Sequence, residues 1–277
     1  MDFLDVPLAR ILRAKAERAV AAGREEIVPG IPGIETIHLL RARDALSLKR
    51  LPKTMAVIGA GSTGCEIAAL FASLGTRVLL VEREANVLPR VDREISAVAG
   101  ARLARLGIEV ATSAEILEAI NATGAVYGLR VRSGATVETH ALEAVVLAAG
   151  RTGKPVDPSL VRVAFVHTEV ATAGLTAAEA KARFGGALVG RCDVSTLPRA
   201  VAEKVATGLV KIVAHPKTRK VVGCQIVADR AGEMIHEASV AIQLGTTVER
   251  LAAMPRADSA WSEGVGKAAA AVSNKRD

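Results

Sequence analysis

The chain has 277 residues, half of them apolar and 23% charged, a composition that allows two domains with buried cores and argues against intrinsic disorder. Only four Phe, one Trp and one Tyr are present, and the net charge of +7 is spread over interleaved acidic and basic residues, so we expect no nucleic-acid partner. No apolar stretch reaches the roughly 18 residues of a membrane span, and no signal-peptide core is recognisable, so we expect a cytoplasmic protein without membrane association.

Residues 1–50 carry few signals of regular structure. Residues 8–20 have an amphipathic pattern, and two Pro-Gly steps follow at Pro29-Gly30 and Pro32-Gly33. Such steps are typical of turns and linkers. We interpret residues 1–50 as a tail and linker that precede the first domain.

Residues 51–155 alternate strand and helix patterns, which predicts a doubly wound α/β domain of the Rossmann type. Ser133-Gly134 indicates a hairpin turn. Residues 145–149 are uniformly apolar, as in a strand buried on both faces. The predicted strands are 55–58, 77–82, 108–110, 126–132, 135–139 and 145–149, and the predicted helices are 66–74 and a segment from about residue 92.

Residues 162–277 predict a second domain of the α+β class. Thr176 and Glu179 have the spacing of a capping box that opens a short helix. Three strands are predicted at 187–192, 209–214 and 221–228, and three helices at 232–244, 248–254 and 262–272. Strands covered by helices on one side give this class of fold.

The strongest chemical signal is the glycine motif Gly59-Ala60-Gly61-Ser62-Thr63-Gly64. It lies between a predicted strand and a predicted helix, which is the context that dinucleotide binding requires. The first Gly permits a tight turn, the second lets the backbone approach a pyrophosphate, and the third lets the helix pack closely on the strand. The first N–H groups of the helix would then face the phosphates.

An acidic residue supports this interpretation independently. Glu82 stands 23 positions after Gly59, at the end of the second predicted strand. A carboxylate there accepts hydrogen bonds from ribose hydroxyls and repels a 2′-phosphate, which favours NAD over NADP. The neighbouring Arg83 could receive that phosphate, so NADP stays possible. The alternative is a glycine turn in an α/β domain that binds no nucleotide.

Cysteine and histidine spacing predicts neither a disulfide framework nor a metal site. The sequence has an odd number of cysteines, and they are far apart at Cys65, Cys192 and Cys224. We interpret them as small buried apolar residues. Glu233 and His236 form one ExxH motif, whereas a carboxylate-bridged metal pair needs two.

Residues 59–92, with the motif and its flanking elements, resemble the NAD domain of the flavin-dependent pyridine nucleotide–disulfide oxidoreductases, such as dihydrolipoamide dehydrogenase and mercuric reductase. Residues 145–151 resemble the strand that closes this domain, and residues 163–176 and 209–236 resemble the family's dimerisation domain. The resemblance implies a homodimer, for which an interface through residues 232–244 is expected. It also implies NAD contacts at Gly59, Gly61, Gly64, Glu66, Glu82 and Gly150, with Ile116 touching the adenine half.

The resemblance implies FAD as a second cofactor, but the family's flavin elements have no counterpart in this sequence. Members carry a separate glycine motif for FAD and a CxxxxC redox pair, and neither is found before Met55. Members also place a Gly-Asp motif between the NAD and dimerisation domains, whereas Arg151 and Val163 are only twelve positions apart here. Residues 1–50 then correspond to the remaining tail of an FAD domain.

The family's C-terminal catalytic element is altered as well. Dihydrolipoamide dehydrogenases carry His-Pro-Thr-x-Ser-Glu, in which the His is the general acid/base. This chain has Asp258-Ser-Ala-Trp-Ser-Glu263. Glu263 is retained, but Asp258 replaces the His, and an aspartate with an ordinary pKa of about 3.9 is a poor proton donor at neutral pH.

Two functions remain open from the sequence. The first is an oxidoreductase-family protein that binds NAD(P)H, with hydride transfer to flavin implied by the family. The alternative is a non-catalytic NAD-binding and dimerisation module, or the remnant of a longer gene.

Overall fold

The computed structural model describes residues 4–21, 27–122, 126–149 and 161–273. The chain divides into two compact units. The first comprises Met1–Arg90, Gly100–Pro155 and Phe165–His167, and the second comprises Val91–Ala99, Val156–Ala164 and Thr168–Asp277.

In chain order the elements up to residue 147 are α1 (Pro7–Ala21), β1 (Leu39–Arg41), α2 (Ala42–Ala45), β2 (Thr54–Ile58), α3 (Ser62–Ser73), β3 (Arg77–Val81), α4 (Arg93–Arg105), β4 (Glu109–Ala111), β5 (Ala114–Asn121), β6 (Tyr127–Ser133), β7 (Thr136–Leu142) and β8 (Ala144–Leu147). The predicted strands and helices between residues 51 and 147 are present, together with α1, β1, α2 and β5, which the sequence pattern does not predict.

A parallel sheet forms the centre of the first unit. Within the described ranges its strands are five, in the order β1-β8-β2-β3-β4. Every residue of β8 is buried, so the uniformly apolar pattern correctly indicates a strand covered on both faces. Strand β1 is not predicted from the sequence: Leu39 pairs with Val145 at the edge of the sheet, but three residues are too few to establish a period.

A second, antiparallel sheet covers the first. Among the described residues it has three strands in the order β5-β6-β7. The predicted hairpin is confirmed, with Ser133 paired to Thr136 and Gly134 at φ 59°. Leu129 and Val131 from this sheet share a buried cluster with Val145 and Leu79 from the parallel sheet, so one core holds the two sheets together.

The second unit contains the remaining elements. They are β9 (Arg162–Phe165), β10 (Glu169–Gly174), α5 (Ala177–Phe184), β11 (Leu188–Asp193), α6 (Pro198–Ala202), β12 (Leu209–Ala214), β13 (Val221–Ala228), α7 (Ala231–Gln243), α8 (Val248–Ala253) and α9 (Glu263–Ser273). The α+β class is confirmed. The sheet is wider than predicted, because β9 and β10 extend the three expected strands to the order β11-β12-β13-β10-β9 within the described part of the chain.

Local signals in this unit act as the sequence predicts. Thr176 Oγ1 accepts a hydrogen bond from the Glu179 amide at 3.1 Å, and the Glu179 carboxylate accepts one from the Thr176 amide at 2.7 Å. The capping box therefore satisfies two N–H groups at the start of α5.

A charged network is built around a buried lysine on the second strand of the sheet. Lys211 on β12 is 3% exposed, and its Nζ lies 3.2 Å from Asp92 Oδ2 and 3.1 Å from Glu94 Oε1. Arg191 donates two further hydrogen bonds to Glu94, at 2.5 and 2.7 Å. These contacts lower the pKa of Glu94 to about 2, chiefly through the hydrogen bonds from Arg191. A buried ammonium group needs such partners to offset its loss of hydration.

No helix among the described residues is both long enough and apolar enough to cross a membrane.

Packing of α9 on β11 depends on the missing side chain of Gly190. A Cβ at this position would overlap the Ala268 carbonyl oxygen and lie 2.6 Å from Val272 Cγ2. We expect Gly190→Ala to lower the free energy of unfolding by about 1–3 kcal/mol, as overpacked cores do. The control is Gly186→Ala, whose Cβ would lie 3.6 Å from its nearest neighbour. Equal melting temperatures for the two variants would contradict this account.

The charged network predicts a pH-dependent stability. Because the pKa of Glu94 is lowered in the folded state, the ionised carboxylate stabilises the folded protein. This stabilisation is complete above the pKa of about 4.3 that glutamate has in the unfolded chain, and it is lost as the pH falls toward about 2. Urea unfolding should therefore give wild type an advantage over Glu94→Gln at pH 6 that shrinks between about pH 4.5 and 2. The control is Glu203→Gln. Glu203 and Glu94 are both 41% exposed and both form an ion pair with an arginine, which is Arg199 for Glu203. Among the described residues, Glu203 has no ion pair with a buried lysine.

Candidate dinucleotide-binding site

The glycine motif forms the connection between β2 and α3. Gly59 has a φ of +98°, a conformation that residues with a Cβ rarely adopt. A Cβ here would also lie 2.8 Å from the Cα of Ala149. The Gly59 amide donates to the Val81 carbonyl at 2.8 Å. The turn is thus fixed between the ends of β3 and β8.

Gly64 brings α3 against the end of β2. A Cβ at Gly64 would overlap the carbonyl oxygen of Gly59 and lie 3.4 Å from the Ala148 side chain. Any larger residue would therefore force the first turn of the helix away from the strand. This is the close helix–strand packing that the sequence predicts for the third Gly of the motif.

Gly61 is different, because packing within the chain does not require a glycine there. Its φ is −69°, and no atom of the described residues lies within 4 Å of a Cβ built on it. It is also the N-cap of α3, and no side chain in the described ranges caps this helix. Ser62, the first helical residue, is exposed. A helix N-terminus with an open approach beside it is suited to an anion.

The loop is held rigidly at Ala60. The Ala60 amide donates to Glu82 Oε2 at 2.6 Å, and Glu82 Oε1 accepts from the Glu84 amide at 3.0 Å. The Ala60 carbonyl accepts from the Leu88 amide at 2.7 Å and from Cys65 Sγ at 3.2 Å. The acidic residue predicted from its spacing therefore lies directly beside the glycine loop.

Leu88 is a member of the site that the sequence does not predict. It is buried and has a φ of +48°, a left-handed conformation that is uncommon for leucine. This conformation lets the segment after β3 turn back so that Leu88 reaches Ala60. Asn86 and Pro89 are residue types typical of turns, but they do not indicate that the turn returns to Ala60.

Of the three other predicted contacts, Glu66 and Ile116 have partners in the first unit, and Gly150 is outside the described residues. The Glu66 carboxylate is buried, forms an ion pair with Lys15 of α1, and accepts the Phe165 amide at 3.2 Å. Ile116 is half-buried on β5 and packs against the cluster shared by the two sheets. Gly150 lies outside the described residues.

All three cysteines are free and buried, which confirms their interpretation as small apolar residues. Burial raises the pKa of the Cys65 thiol to about 12 and also raises the pKa of Cys192 and Cys224. A thiol with a raised pKa is a weak nucleophile at neutral pH.

The altered C-terminal element is at the start of α9. Asp258 is exposed in the turn before this helix. Glu263 is the first residue of α9, and its Oε2 lies 3.7 Å from Lys267 Nζ one turn further on. The retained glutamate thus makes a helical i,i+4 pair.

One group of potential metal ligands is present on the surface of the first unit. Glu109, Glu138 and His140 each offer a ligand atom within 4.8 Å of the others. Exposed acidic groups often gather without an ion, and we assign no site to them.

A strand, a glycine loop, a helix and an acidic residue that ends the next strand together define a Rossmann-type α/β protein. The family model for pyridine nucleotide-disulphide oxidoreductases matches residues 15–165, and the model for their dimerisation domain matches residues 160–269. The chain therefore belongs to the pyridine nucleotide–disulphide oxidoreductase family.

Individual relatives agree with this assignment. The chain is 26% identical to a mercuric reductase of Bacillus cereus over 297 residues, which cover 83% of the chain and 47% of the relative. It is 27% identical to a mercuric reductase of Lysinibacillus sphaericus over 318 residues, covering 90% of the chain and 58% of the relative. The chain thus spans about half the length of these relatives.

A solved structure is similar in fold. The HOCl-induced flavoprotein disulfide reductase RclA from Escherichia coli superposes with a TM-score of 0.77 at 19% identity, over 90% of this chain and 72% of that one. At this level of identity the likeness concerns the fold alone.

Substitution of the second and third glycines of the loop should reduce stability by different amounts. Gly64→Ala should destabilise the first unit, because its Cβ overlaps the Gly59 carbonyl. Gly61→Ala has free space and an ordinary φ, so it should cost less than about 1 kcal/mol, the range of N-cap exchanges. Thermal unfolding of both variants measures this difference, and an equal loss would contradict the packing role of Gly64.

Proposed function

We propose that this chain binds a nicotinamide dinucleotide at the loop of residues 59–64, with NADH preferred over NADPH. The observation that carries the proposal is the open face at Gly61 beside the N-terminus of α3. A pyrophosphate could approach the backbone there without displacing a side chain, and the helix supplies N–H groups and the positive end of its dipole. Ser62 and Thr63, in the first turn, would flank the phosphates.

Glu82 supports the preference for NADH. Its carboxylate is fixed next to the loop by the Ala60 and Glu84 amides, where it would accept hydrogen bonds from a ribose and repel a 2′-phosphate. Arg83 is largely exposed and lies 3.9 Å from Glu84. Arg83 is therefore available to a phosphate, which keeps NADPH as a weaker ligand.

FAD, the second cofactor of the family, does not fit the residues present. Within these 277 residues the glycine motif occurs once, and the cysteines at positions 65, 192 and 224 form no CxxxxC pair. The alignment with the Lysinibacillus relative runs over 318 residues, more than the chain contains, so that relative has residues without a counterpart here. We therefore derive no hydride-transfer step through a flavin, and the first candidate function rests on the dinucleotide-binding loop alone. A flavin-dependent oxidoreductase remains the second candidate, because the chain belongs to that family.

An absorbance spectrum with an NADH titration separates the two candidates. A colourless protein whose NADH fluorescence titration saturates supports the module. A yellow protein whose flavin band is bleached by NADH supports the oxidoreductase. Absence of both signals would refute the proposed function.

The second unit is proposed to pair two copies of the chain. Val240 of α7 and Leu244, the residue that caps its C-terminus, are one turn apart. They are 54% and 76% exposed, which is unusual for neighbouring apolar side chains. Helix α7 lies within the segment that matches the dimerisation domain. A two-fold interface would bury the same pair from each copy.

Removing the carboxylate at residue 82 tests the cofactor site. We expect Glu82→Ala to weaken NADH binding by about 1.5–3 kcal/mol, the cost of losing charged hydrogen bonds, and to reduce the preference for NADH over NADPH. Fluorescence titrations with both nucleotides measure the two effects. The matched control is Glu84→Ala, an exposed carboxylate in the same turn, which should leave the NADH affinity unchanged. Unaltered NADH affinity in Glu82→Ala would place the cofactor elsewhere.

Charges on α7 test the dimer. Val240→Glu with Leu244→Glu should convert a dimer into a monomer in sedimentation experiments, because the carboxylates would be buried against their symmetry copies. The control is Val201→Glu on α6, a valine that is 66% exposed in the same unit. A double variant that remains dimeric would exclude α7 from the interface.

A further inference from the structure

The first unit contains a cavity at the end of its parallel sheet that is opposite the glycine loop. Its volume is about 310 Å³, and His38, Leu40, Pro52 and Ala144 line it where β1, β2 and β8 begin. The glycine loop follows the last residue of β2, at the carboxyl ends of the strands. Because all five described strands run parallel, the cavity is a separate place from the proposed dinucleotide site.

The interior of this cavity is apolar. Leu40 and Ala144 are core residues, Pro52 is buried and Leu48 is half-buried. Tyr127 of β6 forms part of the wall. These side chains offer a ligand a surface from which water is readily displaced.

The rim of the cavity is basic. Lys49 and Arg50 are exposed and adjacent, and Lys49 makes no ion pair within the part of the chain that the structure describes. The opposing charge is Glu143, whose carboxylate accepts the Lys53 amide at 3.0 Å and lies 3.6 Å from Arg50 Nη2. The carboxylate of Glu143 offsets one of the two positive charges of Lys49 and Arg50, so the entrance has a net charge of about +1.

We propose that this cavity binds a small monocarboxylate with an apolar body, with the carboxylate at Lys49 and Arg50. The volume is at the lower end of the roughly 300–1,000 Å³ typical of small-molecule sites, a size that suits a single ring or a branched chain. The net positive rim selects an anion of one charge and disfavours a metal ion. An apolar interior with a few polar groups at one side fixes the orientation of such a ligand.

The probe for this site is anthranilate, an aromatic monocarboxylate whose own fluorescence reports its binding. Wild-type protein should bind it saturably, and the neutral isostere 2-aminobenzamide should bind at least about tenfold more weakly, since a charged hydrogen bond is lost. Saturating NADH should not displace the probe, because the two sites are at opposite ends of the sheet. Displacement by NADH, or equal binding of the neutral isostere, overturns the proposal.

Two variants locate the binding. Lys49→Gln with Arg50→Gln should reduce anthranilate affinity by about tenfold or more, while Leu48→Trp should fill the cavity and abolish binding without changing any charge. The matched control is Arg43→Gln with Arg105→Gln, which removes the same two charges from exposed positions that do not line the cavity. Thermal unfolding confirms that each variant is folded. No saturable binding to wild type, or an equal loss in the control, also overturns the proposal.

Discussion

The close contact between the first turn of α3 and the end of β2 determines the chemistry available at the carboxyl side of the parallel sheet. Gly64 has no side chain, so the helix reaches the carbonyl of Gly59, and its N-terminus opens beside Gly61. Glu82 and Leu88 then hold both polar groups of the Ala60 peptide. Because these bonds exist before any ligand arrives, a phosphate group would meet N–H donors that need little reorganisation.

The sequence predicts those strands whose pattern is uniform and misses those whose pattern is broken for a structural reason. Strand β8 is buried on both faces and is read directly from its apolar run. Strand β5 has a shift in register between Ile116 and Glu118, and such a bulge destroys the alternation that marks a strand. Strand β10 is rich in alanine and ends at Gly174, where a Cβ would lie 3.0 Å from Ile242 of α7. Ala171 and Ala173 share a buried cluster with residues of α7. These two positions are small, so the covered face of the strand lacks bulky β-branched side chains.

At the candidate site, too, the sequence predicts features that depend on a local pattern and does not predict contacts between distant residues. The glycine motif and Glu82 were predicted because their spacing is a property of a single strand–helix–strand unit. Glu66 was assigned by resemblance alone, and the structure gives it contacts with Lys15 and Phe165, residues 51 and 99 positions away. Contacts of that range depend on where α1 and the segment after residue 161 fold, which no local pattern contains.

A parallel sheet has two different ends, and the two sites proposed here would recognise anions differently. At the carboxyl end the proposed recognition uses backbone N–H groups and a helix dipole, so most side-chain exchanges would leave it intact and only the glycines and Glu82 are sensitive. At the amino end the positive charge comes from Lys49 and Arg50 on a connecting loop, so it is removed by ordinary substitution. The site at the carboxyl end depends on the fold itself. The ligand preference of the site at the amino end can be altered by substitution of two or three surface residues. A single α/β unit can therefore keep a fixed cofactor site while a second specificity develops at its opposite end.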